Sequence, residues 1–166
     1  MTRDEQKKKI LLVDDDIDLL EQNKLLLESR GYEVVTAENS KKGWELFKSV
    51  KPYAAIIDLI MEEHDAGFIL SYKLKKDPHG KNIPVFVLTS ATYVTGFKFS
   101  ASTPEEKEWI KCDAIINKPV VIDDLVQKIE GYYEAKIAWL KLFVALTFLG
   151  KRVIWTQKNC IETKAA

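Results

Sequence analysis

The chain has little that would cross-link or interrupt it: two cysteines, five prolines and seven glycines among 166 residues. Cys112 and Cys160 form neither a disulfide framework nor a metal-ligand spacing, so a reduced, cytoplasmic protein is expected. The low glycine and proline content excludes collagenous and low-complexity classes, and 46% hydrophobic residues exclude a disordered chain. The charged N-terminus has no apolar stretch behind it and does not read as a secretory signal. An excess of one charge is also missing: 25 basic residues balance 25 acidic ones. A uniformly neutral chain would feel no electrostatic pull toward nucleic acid or membrane. The balance is not uniform, however. Residues 1–135 hold 19 Lys/Arg against 24 Asp/Glu, a net of −5, whereas residues 136–166 hold six Lys/Arg and only Glu162, a net of +5. The sequence therefore reads as an acidic domain over 1–135 and a basic, apolar tail over 136–166.

Within the first part, short apolar runs alternate with segments of helical spacing. Ile10–Val13, Val34–Ala37, Ala54–Ile57, Pro84–Leu88 and Ala114–Ile116 read as strands. Residues 17–30 read as a helix closed by Gly31. A second helix is capped by Ser40 and stopped by Pro52, and a third follows Gly67 and ends at Asp77-Pro78-His79-Gly80. Asp123 or Asp124 is expected to cap the last helix. Strands that are apolar throughout are buried on both faces, which implies a parallel sheet covered by helices on both sides. The expected fold is α/β, a doubly wound (βα)5 domain with a five-stranded parallel sheet and a helical C-terminal extension.

In such sheets, ligands bind beyond the carboxyl ends of the strands. Those ends carry Asp14, Asp15 and Asp16 after strand 1, Asp58 after strand 3, Thr89 and Ser90 after strand 4, and Lys118 after strand 5. Converging carboxylates repel one another and need a counter-charge. A hard cation such as Mg²⁺ suits oxygen ligands, Lys118 adds a fixed positive charge, and Thr89 offers a hydroxyl. A carboxylate nucleophile, a metal, an ammonium and a hydroxyl together suit a phosphoryl group. Taken singly, each of these residues also reads as ordinary capping or solvated polarity.

The segments Lys9–Asp16, Ala55–Met61, Pro84–Ser90 and Ile116–Pro119, in this order and spacing, resemble a response-regulator receiver domain over about residues 8–135. The resemblance implies a flavodoxin-like receiver fold and a phosphoacceptor role in two-component signalling. Asp58 would take a phosphoryl group from a histidine kinase or phosphotransfer protein. Asp14, Asp15 and Asp58 would bind Mg²⁺ together with the Ile60 backbone carbonyl, and Asp16 would start the first helix. Thr89 and Lys118 would bond the phosphoryl oxygens, and the Lys118–Pro119 bond is one that such domains often hold in cis. The reaction would be an in-line displacement, and the chain would otherwise be no enzyme.

The sequence departs from the family pattern in places. Glu62 stands where the family usually has proline, and Gly67 falls one residue late, so the loop after Asp58 is expected to differ in shape. Thr89 and Lys118 are 29 positions apart, more than in a short receiver. The segment 91–111 reads as an extended stretch around Phe97 and Phe99 followed by a short helix with Thr103 as its cap. Ile115 occupies the place of the family's aromatic switch residue, so Thr89 is expected to act on 91–111 through Tyr93, Phe97 or Phe99. Ile60 and Ala91 occupy the two positions that tune phosphoryl lifetime, and neither can orient a water; slow self-dephosphorylation is expected. His64 and His79 read as solvated loop residues.

In the tail, 11 of the 13 residues from Ile137 to Leu149 are apolar. As a helix they would span roughly 20 Å, short of the ~30 Å bilayer core, and extension to Trp155 brings in Lys151 and Arg152. The tail is read as an extended last helix that packs on its own domain or a second subunit in a homodimer. The alternatives are peripheral membrane contact through residues 137–155 and docking of a partner. The acidic domain and the lack of a helix-turn-helix argue against nucleic-acid binding. Two rival functions are a metal-dependent aspartyl phosphatase of the haloacid dehalogenase type, using Asp14 and Asp16, and a phosphorylation-independent scaffold.

Overall fold

A computed structural model describes residues 7–63, 66–90 and 111–148. Its strands are β1 (Lys9–Val13), β2 (Glu33–Ala37), β3 (Ala54–Asp58), β4 (Val85–Thr89) and β5 (Ala114–Asn117). They form one parallel sheet in the order β2-β1-β3-β4-β5. The helices are α1 (Ile17–Glu28), α2 (Ser40–Val50), α3 (Ala66–Lys76) and α4 (Ile122–Phe148). The doubly wound α/β reading of the sequence is the observed fold. Full burial on both faces holds for β3 and β4 and nearly so for β1, while the edge strands β2 and β5 are half-buried, since each has a neighbour on one side only.

One face of the sheet buries Leu11, Val13, Ala55, Ile57 and Val85 against Phe47 of α2 and Leu70 and Leu74 of α3. At about 25 cal/mol per Å² of apolar surface, this continuous cluster contributes substantially to stability. His79 belongs to this framework: its Nε2 donates to the Pro52 carbonyl at 2.8 Å, and its ring lies 5.6 Å from that of Phe47.

Two expected caps are placed differently. Asn39, not Ser40, caps α2, its side chain accepting from Lys42 N at 2.8 Å. The amide oxygen of Asn39 satisfies the third helical N–H, and Ser40 becomes the first helical residue. Neither Asp123 nor Asp124 caps α4. Leu125 N donates to the Val121 carbonyl at 3.1 Å, which puts the cap position at Val121 and both acids inside the first turn. Negative charge there is favourable to the helix dipole, and Asp123 is engaged by Arg30 at 2.6 Å. α1 ends two residues earlier than its spacing suggests. The chain turns through 29–31 and leaves by Gly31, whose φ of 90° favours glycine.

The chain divides into two compact units, Met1–Leu125 and Val126–Ala166. α4 begins in the first and supplies the described part of the second. In the second unit Ile137, Leu140, Leu142 and Val144 are exposed, and the rings of Trp139 and Phe143 stack 5.3 Å apart. Among the described residues, no helix is long and apolar enough to cross a membrane. His64, Cys160, Trp155 and the segment 91–110, with Ala91, Tyr93, Phe97, Phe99 and Thr103, lie outside the described residues.

Candidate functional site

All five strands run the same way, so their carboxyl ends share one edge of the sheet. β1 delivers Asp14 there, β3 Asp58 and β4 Thr89, each buried, and β5 is followed by Lys118. Local bonds fix each position. Asp14 N donates to the Ala37 carbonyl at 3.1 Å, Leu59 N to Leu88 at 2.8 Å, and Lys118 N to Thr89 at 2.8 Å. The last of these ties the lysine to the threonine through the backbone.

The three consecutive acids divide their work. Asp14, 1% exposed, accepts from Asp16 N at its Oδ1 and from Lys118 Nζ at its Oδ2, at 3.0 and 2.7 Å. Asp15 is exposed and faces the cluster: one oxygen each from Asp14, Asp15 and Asp58 lie within 4.8 Å of one another. Asp16 caps α1, accepting from Asp18 N and Leu19 N at 3.0 and 3.1 Å, at the start of the first helix as the resemblance implied. Lys118 also pairs with Asp58, Nζ to Oδ1, at 3.0 Å. The Lys118–Pro119 peptide is cis.

The electrostatics follow from burial. Burial pushes the Asp58 carboxyl up from 3.8 to about 6, against the opposing pull of the Lys118 hydrogen bond and charge. Burial also disfavours the Lys118 ammonium, but its hydrogen bonds to Asp14 and Asp58 outweigh this and hold it above its ordinary value. Three carboxylates against one ammonium leave a surplus of negative charge on hard oxygen donors. That donor set fits a small divalent cation such as Mg²⁺, which takes one or two carboxylates and keeps several waters.

The loop between β3 and α3 departs from expectation in an informative way. Leu59 and Met61 are buried, and Ile60 between them is 39% exposed. Glu62 Oε1 accepts from Ser40 N at 3.0 Å and from the Ser40 hydroxyl, so the loop is tied to the start of α2. Gly67 lies so close to the end of β3 that an added Cβ would come within 2.1 Å of the Asp58 carbonyl oxygen and 2.7 Å of Leu59 Cα. The glycine, displaced by one position in the sequence, thus sits directly against the strand end that carries Asp58.

Three structural pairs carried no signal in the sequence: Ser40 with Glu62, Arg30 with Asp123, and Lys75 with Asp113 at 2.5 Å. Asp113 also accepts from Val85 N at 2.7 Å and pins β5 to β4. Ile115 in β5 is half-buried beside Val87. The nearby Cys112 is a free thiol.

The chain is similar to Protein RcaC of Microchaete diplosiphon, with 29% identity over 131 residues covering 79% of this chain and 19% of that protein. It is also similar to the sensory transduction protein BceR of Halalkalibacterium halodurans, 31% identical over 123 residues covering 74% of this chain and 48% of that one. It spans less than half the length of both relatives. Among solved structures, a CheY-like response regulator receiver domain protein from Methanospirillum hungatei is 27% identical. It aligns with a TM-score of 0.63 over 80% of this chain and 99% of its own. The response regulator protein TrrA from Thermotoga maritima, solved in complex with Mg²⁺ and BeF, is 25% identical, with a TM-score of 0.60 over 75% of this chain and 98% of that one. The family described as "Response regulator receiver domain" matches residues 10–130, well over half of the chain, and reaches all five strands. On that match, and on a strand order that gathers acids and lysine at one edge, the chain belongs to the response regulator receiver domains of two-component signalling.

Proposed function

We propose that this chain is a phosphoacceptor in which Asp58 takes a phosphoryl group from the phosphohistidine of a histidine kinase or phosphotransfer protein. The observation that carries this reading is the convergence of Asp14, Asp15 and Asp58 on one point, with Lys118 Nζ 3.0 Å from Asp58. An Asp58 carboxylate oxygen forms the new bond to phosphorus, and the bond from phosphorus to the histidine nitrogen breaks, returning its electron pair to the imidazole. Asp14, Asp15 and Asp58, with the Ile60 carbonyl, would hold Mg²⁺, which when bound offsets charge on the phosphoryl oxygens. Lys118 is placed to give up its bond to Asp58 and pair with a phosphoryl oxygen, while Asp14 retains its other hydrogen bonds. The Thr89 hydroxyl supplies a further donor at the end of β4.

The output is a change in contacts with another protein, in the cytoplasm, rather than direct binding of nucleic acid. Apart from its own phosphorylation and dephosphorylation, the chain catalyses nothing. Further relatives carry transcriptional regulator in their names, and the chain covers less than half of their length.

Asp14 as nucleophile, as in an aspartyl phosphatase, is disfavoured because both its oxygens are already engaged. The test is uptake of phosphoryl from acetyl phosphate with Mg²⁺, followed by intact-mass measurement. A stable gain of one phosphoryl in wild type and its loss in Asp58→Asn support the reading. No uptake in wild type would favour a phosphorylation-independent scaffold, and turnover lost only in Asp14→Asn would favour the phosphatase.

A further inference from the structure

We propose that Glu62 is a positioning residue for the cation site: its hydrogen bonds to Ser40 hold the loop between β3 and α3 in the shape that site needs. The inference rests on the reading of Asp14, Asp15 and Asp58 as Mg²⁺ ligands and adds a residue that does not touch the cation.

The loop is held at its two ends by the domain itself. Leu59 is buried and its N–H donates to the Leu88 carbonyl at 2.8 Å; Met61 is buried in the core that α2 and α3 share with the sheet. At the far end Ala66 N donates to Glu63 at 3.1 Å and Gly67 N returns to Leu59 at 3.2 Å. The stretch after Met61 leaves the core, and Glu62 itself is exposed. An exposed carboxylate ordinarily points into water. Here one oxygen takes both donors that Ser40 offers, the backbone N–H and the hydroxyl.

Those donors are there for a physical reason. The first N–H groups of a helix have no partner within it. Asn39 satisfies that of Lys42, and Ser40 N at the first helical position takes the Glu62 carboxylate. A carboxylate at a helix N-terminus is favoured by the helix dipole and by the charge-assisted bond. The tether therefore gives the loop a third fixed point, on an element rigidly packed against β1 through Gly43, whose added Cβ would come within 3.0 Å of Val13. Ile60 lies between Asp58 and this point, with its neighbours on both sides pinned. A cation site that draws on a loop carbonyl depends on such outer supports, whose loss commonly weakens metal binding by roughly tenfold or more.

The test is calorimetric titration of the full-length protein with Mg²⁺, run on wild type, Glu62→Ala, Glu62→Gln, Ser40→Ala and the Glu62→Ala/Ser40→Ala pair. Urea unfolding in EDTA is measured alongside. Glu62→Ala is expected to weaken Mg²⁺ binding roughly tenfold, and Ser40→Ala less, because the backbone N–H at position 40 still donates to Glu62. The double variant should be no weaker than Glu62→Ala, which already removes both bonds, whereas Ser40→Ala removes the hydroxyl's bond and keeps that of the backbone N–H. Glu62→Gln, which keeps an oxygen acceptor and loses the charge, should restore most of the affinity. If wild type binds no Mg²⁺, the cation reading falls and takes this inference with it. If wild type binds and Glu62→Ala binds equally well, only the inference falls. Additive effects of the two substitutions, or a Glu62→Gln as weak as Glu62→Ala, would assign the effect to charge and overturn the tether. A lowered urea midpoint in EDTA with unchanged Mg²⁺ affinity would make Glu62 a structural brace and also overturn it.

Discussion

Lys118, just past β5, donates a 2.7 Å hydrogen bond to Asp14 at the end of β1, across two intervening strands and 104 residues of sequence. The same ammonium reaches Asp58 at 3.0 Å, so one side chain pairs with two buried carboxylates at once. Removing one partner of such a group leaves charge buried without compensation. Lys118→Met is expected to lower stability by roughly 3 kcal/mol in EDTA at pH 7. Mg²⁺ should recover part of the loss, because a cation replaces the missing positive charge. Urea unfolding with and without Mg²⁺ measures both.

Asp58→Asn is expected to act in the opposite direction. Asp58 keeps its proton up to about pH 6 in the folded protein, against 3.8 for an unburied carboxyl. Between those values the folded state binds more protons than the unfolded one, so the contribution of Asp58 to stability is full below pH 3.8 and is lost as pH rises to about 6. At pH 7 the buried charge costs on the order of 2–3 kcal/mol. In EDTA the asparagine variant should therefore be more stable than wild type at pH 7, and its advantage should shrink toward pH 4. Added Mg²⁺ should stabilise wild type much more than the variant. A variant less stable than wild type at pH 7 in EDTA would contradict this account.

Gly67→Ala and Gly31→Ala separate two reasons for glycine. At Gly67 the added methyl would meet backbone atoms at 2.1 and 2.7 Å, so α3 must shift away from the strand end that presents Asp58. A loss of roughly 2–3 kcal/mol is expected, together with slower phosphoryl uptake. At Gly31 nothing lies within 4 Å and only the φ of 90° opposes a side chain. The cost there should be about 1 kcal/mol, with uptake unchanged. Equal effects of the two substitutions on uptake would remove the special role given to Gly67.

Cys112 should resist alkylation. Burial pushes its thiol up to about 12, with the neighbouring Asp113 adding to the effect. Since the thiolate is the reactive species, labelling by iodoacetamide at pH 8 should be about a thousandfold slower than for an unburied cysteine. The rate is read by mass spectrometry on a Cys160→Ser variant, and denaturant should restore ordinary reactivity.

The aspartyl phosphate should be long-lived. The Ile60 side chain carries no group that could orient an attacking water, and neither does that of Ala91. Decay of the phosphorylated species, followed by mass in Mg²⁺ buffer, should be slow; a half-life of seconds would refute this.

The sequence by itself determined the strands, their parallel arrangement and the identity of the clustered groups. The physical reason is that parallel strands all end at one edge. An acid after β1, an acid at the end of β3, a threonine at the end of β4 and a lysine after β5 must therefore come together once the apolar runs pair. Asp16 as a helix cap was equally legible, because capping is a contact of two or three residues along the chain. What only the tertiary structure decided lies between elements. Ser40 meets Glu62 across 22 residues and Arg30 meets Asp123 across 93, and neither spacing carries a periodic signal. Asn39 and Ser40 are both good caps; Asn39 takes the role, and Ser40 bonds Glu62 from another loop. Which of Asp14 and Asp15 becomes the buried lysine partner and which the exposed member of the acidic cluster was likewise settled by packing. Burial and the reach of Lys118 set it, and residue type does not.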